Sequence, residues 1–414
     1  MYPLYKLGIR LYYFLLWLIA PFHPGAAEWL KSRKIQEKEN VKKIQENRPV
    51  IWFHASSLGE FEQALPLINL WKDNRPDHFI LLTFYSPSGY KIRQDFSGAD
   101  CVMYLPRDIK SEVRPFLDHF HPDRVVLIKN EIWPVLLKEL AHRRIPTYLV
   151  SAVFRPDQMF FKRYGRWYLS LLDLFTTIFV QDQASAQLLE KNGINNVIIS
   201  GDTRIDRVVY LAGDNSSVEG IDQFIADNKI IIAGSSWQRE EQFLHRFFFE
   251  SNAPGVKLIL APHDVSARRL KSIEDQFGAT LIRYGQLLKQ PTIGLEKSVL
   301  LIDRIGLLSK LYRYGHIAVI GGAFGAGLHN VLEPAVFGLP LIFGPRYHKF
   351  VEAVELVKCR AGFSVKTYNE FQNILQILVN DHDNLSNAGK GCRLFAENNK
   401  GATDLIISHL LEKA

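Results

Sequence analysis

The chain has 414 residues, of which 47% are hydrophobic and 22% charged, a globular composition that excludes a mainly disordered chain and supplies apolar material for two cores. Its formal net charge of +7 favours an anionic partner: nucleic acid, a membrane surface or a phosphorylated substrate. The three cysteines, Cys101, Cys359 and Cys392, form no CxxC pair and no even set, so neither a disulfide framework nor a zinc site is expected and a reducing compartment fits.

The first segment, MYPLYKLGIRLYYFLLWLIAPFHPG, places Lys6 and Arg10 before an apolar run from Leu11 to Phe22. As a helix that run covers roughly 18 Å, short of a bilayer core of about 30 Å. No clean small-x-small cleavage site follows it. Residues 1–30 are therefore expected to form a helix anchored in the membrane interface. Its basic residues would meet lipid phosphates, and Tyr12, Tyr13, Phe14 and Trp17 would enter the interface. A shallow span and a buried core helix are the alternatives. A charged helical stretch, EWLKSRKIQEKENVKKIQENRP, links this segment to the first strand.

From Pro49 onward strands and helices alternate. PVIWFHAS reads as a strand, and EFEQALPLINLWKD as a helix with Phe61, Ala64, Leu65, Ile68 and Trp71 on one side. HFILLTFYS, RVVLIKN, IPTYLVSAV and TTIFVQD are further strands. The pattern pauses in a polar stretch, which places a linker near Tyr210 to Gly220. A second series follows: KIIIAGSS, VKLILAPHD, ATLIRYG, SVLLIDRI, HIAVIGGAF and LPLIFGP. The alternation implies parallel βαβ units, hence an α/β protein of two Rossmann-like domains. Domains are expected over 31–210 and 211–395, with a C-terminal helix in 396–414 that can cross back to the first domain. Open parallel sheets bind ligands at the carboxyl ends of their strands, and two of them would face a central cleft.

Candidate site residues fall at those strand ends. In WFHASSLGEFEQALPLI the small residues Ser56, Ser57 and Gly59 precede Glu60, in the first turn of a helix. A carboxylate there sits in a positive local field and near backbone N–H groups, where it can serve as a base or as a helix cap. NEIWP adds Glu131 on the same rim. In the second half, GGAFGAGLHNVLEPAVFGLPLIFGP, Gly321 to Pro345, follows a strand with a glycine-rich loop and a helix from near Asn330 to Gly338. That order makes a phosphate cradle, with Glu333 placed to grip ribose hydroxyls. GDTRID offers Arg204, AGSSW offers Ser235 and Ser236, and LAPHD offers Pro262, His263 and Asp264. DHD, Asp381 to Asp383, follows no core strand and reads as a surface turn. The histidines show no metal-ligand spacing, so no catalytic metal is expected.

Together these motifs resemble the Kdo transferases (3-deoxy-D-manno-octulosonic acid transferases) of lipopolysaccharide synthesis. WFHASSLGEFEQALPLI is similar to the first hallmark motif, NEIWP to the second, and the Gly321–Pro345 stretch to the third and most specific. The resemblance implies a GT-B fold, with acceptor bound in the N-terminal domain and donor in the C-terminal one. It implies CMP-Kdo as donor and lipid IVA, or a related lipid A precursor, as acceptor, at the cytoplasmic face of the bacterial inner membrane, with an anionic membrane surface as partner. By motif, Glu60 would be the general base on the acceptor hydroxyl and Glu131 a second essential acid. Arg204, Ser235, Ser236, Pro262, His263 and Asp264 would contact the donor. Ile305, Gly306 and Leu307 would line the cytidine pocket, and Asn330, Val331, Leu332 and Glu333 would hold phosphate and ribose. Two positions depart from the family pattern. Lys129 stands where an acid is common, and His263-Asp264 stand where Arg-His is common.

CMP is a good leaving group, so the hard tasks are activating the hydroxyl and stabilising the departing phosphate, without a metal or other cofactor. One base with no partner nucleophile predicts inversion at the anomeric carbon. The rival readings are another GT-B transferase acting on a lipid, a hydrolase or epimerase on the same scaffold, and a non-catalytic membrane-bound binder of sugar nucleotides. Nucleic acid is not an expected partner, because no basic stripe is interleaved with aromatics.

Overall fold

Strands whose two faces are both covered read as near-continuous apolar runs, and that is how the first sheet is built. The structure, a computed structural model, describes residues 1–39, 48–162, 165–213, 216–250 and 254–412. The chain divides into two units, Met1–Arg207 with Lys400–Ala414, and Val208–Asn399. The first unit contains β1 (Val50–His54), β2 (Phe79–Phe84), β3 (Cys101–Tyr104), β4 (Arg124–Ile128), β5 (Thr147–Ala152), β6 (Thr177–Val180) and β7 (Val197–Ile199). They pair in parallel in the order β3-β2-β1-β4-β5-β6-β7. Every residue of β1, β2 and β5 is buried.

The period of two along a strand divides these residues between two cores. Trp52, Leu81, Val125 and Leu127 enter one, with Leu117 and Leu140. Ile51, Phe53, Leu82 and Val126 enter the other, with Phe61, Ala64, Leu67, Ile68 and Trp71 from the helix Leu58–Asn74. Leu65, expected on the same side, packs against this core half-buried, and Leu67 joins it fully buried. Each large side chain so buried contributes about 1.5–3 kcal/mol relative to exposure. The helix Ala402–Glu412 adds Ile406, Ile407 and Leu410 to this second core.

The second unit holds β8 (Lys229–Ser236), β9 (Val256–Pro262), β10 (Leu281–Arg283), β11 (Val299–Leu301), β12 (Ile317–Ile320), β13 (Leu341–Phe343) and β14 (Gly362–Ser364). They are parallel in the order β10-β11-β9-β8-β12-β13-β14. In each sheet the chain leaves one central strand in opposite directions, between β1 and β4 and between β8 and β12. Crevices open outside the carboxyl ends of strands at such switch points.

Two N-terminal helices, α1 (Tyr2–Ile19) and α2 (Pro24–Glu39), precede β1. Leu4, Leu7, Leu11, Phe14, Trp17 and Phe22 are exposed. Tyr13 corrects the sequence expectation that it enters a lipid interface. It is buried, its ring stacks on Trp29 at 5.7 Å, and its hydroxyl accepts from the Asp108 N–H at 3.4 Å. Among the described residues no helix is long and apolar enough to cross a membrane.

Candidate active site

The first switch point gathers two carboxylates. β1 ends at His54, and Ser57 caps the following helix. Glu60 reaches back so that its Oε2 accepts from the Ser57 N–H at 2.7 Å and from the Ser57 hydroxyl at 3.0 Å. This reciprocal box satisfies amides left unpaired at the helix start. No hydrogen bond to Glu60 Oε1 is found among the described residues. Glu60 is therefore a helix cap through one oxygen. Gly59 is exposed beside it and Ser56 is half-buried.

Glu131 follows β4, the strand next to β1. Its Oε2 accepts from the Trp133 indole N–H at 2.6 Å and lies 3.3 Å from His54 Nε2. Burial works against the charge, but hydrogen bonds from His54, Ser56 and Trp133 outweigh it and hold the carboxyl below the usual range. His54, fully buried, was not singled out in the sequence. Its place in WFHASS was the one available signal.

Arg204 lies in the first unit, on the helix Thr203–Gly213. Its Nε and Nη2 both donate to Asp202 Oδ2, at 2.8 and 2.5 Å, and its backbone N–H donates to Oδ1 at 3.0 Å. Burial again opposes ionisation of Asp202, and the Arg204 charge and hydrogen bonds prevail. The residues of the second half that are expected to contact the donor are in the second unit.

Two residues at the switch points hold left-handed backbone without being glycine: Lys129 after β4, with φ 67°, and Ser235 in β8, with φ 49°. Such conformations cost about 1–2 kcal/mol each and cluster at functional sites.

At the second switch point the glycines act by close approach. A Cβ on Gly321 would lie 2.0 Å from the Ser235 carbonyl oxygen, and one on Gly322, at φ 92°, 2.2 Å from the Gly327 oxygen. Several amides of this loop are tied into the protein. The amides of Gly321, Gly325, Gly327 and His329 donate to backbone carbonyls, and that of Gly322 donates to Glu240 Oε1 at 3.0 Å. The helix expected from Asn330 to Gly338 is a single turn, Leu332–Val336, too short for a substantial dipole.

Glu240, almost fully buried, also accepts from the Trp237 N–H at 3.2 Å, and burial pushes its carboxyl up. The Ser236 hydroxyl donates to Glu241 Oε1 at 2.9 Å, and Glu241 is paired with Arg269. Trp237 stacks on His263 with centroids 4.7 Å apart. His263 stacks on His329 at 4.6 Å, and the Trp237 indole N–H donates to His329 Nε2 at 3.0 Å. This stack, with Arg239, Gly322 and Phe324, lines a cavity of about 680 Å³. Trp237, 47% exposed, was not chosen from AGSSW.

The remaining second-unit residues lie around this cavity without all joining it. Pro262 is buried at the end of β9, and Asp264 binds the Ser266 amide and hydroxyl at a helix start. Ile305 is 86% exposed, beside Gly306 at φ 95° and a half-buried Leu307. Glu333 Oε1 accepts from Asn330 Nδ2 at 2.9 Å. Val331 and Leu332 are buried and can offer only backbone. Asp381 accepts from the amides of Asp383 and Asn384 and starts the helix His382–Asn399.

Two doubly covered parallel sheets with sites at their switch points define the GT-B class of α/β proteins. Among solved structures, the UDP-GlcNAc 2-epimerase from Neisseria meningitidis bound to UDP-GlcNAc is similar at a TM-score of 0.65, with 15% identity, over 88% of this chain and 100% of that one. Residues 30–207 match the family described as 3-Deoxy-D-manno-octulosonic-acid transferase (kdotransferase). The 3-deoxy-D-manno-octulosonic acid transferase of Aquifex aeolicus (strain VF5) is 30% identical over 351 residues, 83% of this chain and 88% of that protein. That of Rickettsia bellii (strain RML369-C) is 25% identical over 414 residues, 96% of this chain and 97% of that protein. The chain belongs to the 3-deoxy-D-manno-octulosonic acid transferase family and is a glycosyltransferase that transfers Kdo in lipopolysaccharide biosynthesis.

Proposed function

We propose that the chain transfers Kdo from CMP-Kdo to lipid IVA or a related lipid A precursor, with Glu60 as general base and without a metal. The observation that carries this reading is the tethering of Glu60 at the β1–β4 switch point, with Oε2 in the helix cap and Oε1 open. The acceptor hydroxyl oxygen attacks the anomeric carbon of Kdo as its proton passes to Glu60. The bond from that carbon to the phosphate oxygen breaks, and its electron pair leaves with CMP. A single displacement inverts the anomeric centre. Donor binding belongs to the second unit, where the cavity walled by Trp237, His263 and His329 lies beside the glycine-rich loop.

The exposed apolar residues of α1, with Lys6 and Arg10 among them, support anchoring at the cytoplasmic face of the inner membrane, with the helix lying in the interface. The test is a transfer assay with purified protein, CMP-Kdo, lipid IVA and EDTA, followed by mass spectrometry of the lipid. The expected result is a mass increase of one or more Kdo units. CMP release with an unchanged lipid would instead indicate hydrolysis, and dependence on added metal would overturn the metal-free step.

A further inference from the structure

Glu131 is mostly buried, with 13% of its side chain exposed, and a carboxylate in that position is neutralised unless donors surround it. Two side chains meet its Oε2, the Trp133 indole N–H at 2.6 Å and His54 Nε2 at 3.3 Å, and of the two only His54 also ties β1 to this segment. We propose that His54 is a positioning residue that holds Glu131 through its Nε2–H. Glu131 then meets the acceptor as an ionised hydrogen-bond acceptor and not as an acid. The proposal rests on the reading above that the first switch point serves the acceptor.

The tautomer follows from a chain of hydrogen bonds. The Trp52 indole N–H, which can only donate, lies 2.8 Å from Thr83 Oγ1. The Thr83 hydroxyl therefore accepts there and has its own proton to place. Thr83 is fully buried, and the other side-chain atom bonded to that oxygen is His54 Nδ1, at 2.9 Å. Nδ1 can take that proton, and the hydrogen on Nε2 is assigned from the group it faces, because an ionised Glu131 can only accept. Nε2 faces Glu131 Oε2 and Ser56 Oγ, each at 3.3 Å. The Thr83 carbonyl oxygen lies 3.1 Å from Nδ1, so a second ring proton would also find an acceptor.

The groups facing the ring are thus Thr83 from β2, Trp52 through Thr83, Ser56 from the turn after β1, and Glu131 from the segment after β4. Among these only Glu131 is charged. The ring ties the end of β1, three residues before the Glu60 cap, to the end of β4. One buried side chain thereby sets both carboxylate-bearing segments in register.

The test uses the full-length enzyme in the transfer assay, with kcat and both KM values measured across pH. His54→Asn removes the donor at the Nε2 position, His54→Gln restores an N–H there, and Thr83→Val removes the hydroxyl that orients the ring. Losing the donor raises the Glu131 pKa, so the ionised form is lost at a higher pH. His54→Asn is expected to lower kcat at least tenfold, to leave the KM for CMP-Kdo unchanged, and to move the acid limb of kcat up by about one pH unit. His54→Gln should recover most of the rate and return the limb, and Thr83→Val should fall between.

An acid limb at the wild-type position in both His54→Asn and Thr83→Val overturns the role, whatever their rates. If thermal melting shows that His54→Asn does not fold, Thr83→Val, which keeps the ring and the carboxylate, decides the matter. Glu60→Ala and Glu131→Gln separate this inference from its premise. If both turn over normally, the reading of the first switch point fails. If both are inactive while the limb stays in place, only the His54 assignment fails.

Discussion

Glu60 has two tasks, and they can be separated chemically. As a cap it contributes on the order of 1 kcal/mol to the helix Leu58–Asn74. As a base it contributes 10²–10⁴-fold to the rate. Glu60→Gln retains a side-chain oxygen for the Ser57 amide but removes the base. The expected result is turnover reduced at least 100-fold with a melting temperature within a few degrees of wild type. Loss of rate and of fold together would mean that the residue is a cap alone.

At Asp202 the linkage has a definite sign. The folded-state pKa is depressed, so the pairing contributes stability above the unfolded aspartate value, near 4. That stability is lost as pH falls through the folded value. Asp202→Asn should lower unfolding stability in urea at pH 7 by about 1–2 kcal/mol, less than a fully buried pair because the Arg204 side chain is 35% exposed. The difference should shrink below pH 4.

At the scale of elements, the glycine-rich turn makes a sharp demand. A methyl group on Gly321 meets the backbone of Ser235 and Ser236, which cannot swing aside as a side chain can. Gly321→Ala should destabilise the protein by more than about 2 kcal/mol in urea unfolding. A stability within 0.5 kcal/mol of wild type would show that β8 and β12 shift apart at little cost.

The same scale shows what the sequence could carry. Long strands such as β1, β2 and β5 were legible because both faces are buried and their apolar runs are continuous. β3, β7 and β14 were not. They are edge strands of three or four residues, each partly exposed, so neither length nor a full apolar run marks them. Glu60 was legible because its cap is local, made within four residues. His54 was not, because its meaning comes from Thr83 and Glu131, 29 and 77 residues away. Trp237 is similar: its partners His263 and His329 arrive from other strands. Tyr13 was misjudged because an aromatic on an apolar helix looks the same from sequence whether it faces lipid or Trp29.

For the whole molecule, net charge and the apolar face of α1 should act together at a membrane. Long-range attraction between a +7 chain and anionic lipid weakens as salt shortens the screening length, to about 8 Å at 0.15 M and 3 Å at 1 M, while apolar insertion does not. Cosedimentation with anionic vesicles should therefore fall partway as salt rises. The double variant Phe14→Glu, Trp17→Glu should abolish it at every salt concentration and leave the melting temperature unchanged, since both side chains are exposed. Retained binding of that variant would place the contact elsewhere.

The return of the last helix to the first unit has a consequence for biosynthesis. Chains emerge from the ribosome in order, and domains generally fold as they emerge. Here Ile406, Ile407 and Leu410 complete a core whose other members lie between Ile51 and Phe179. Residues 208–399 are translated in between. For that interval the nascent first unit presents the bare side of the helix Leu58–Asn74, and it becomes complete only after the second unit has left the exit tunnel. The core of the first unit is thus completed by a segment translated only after the whole of residues 208–399.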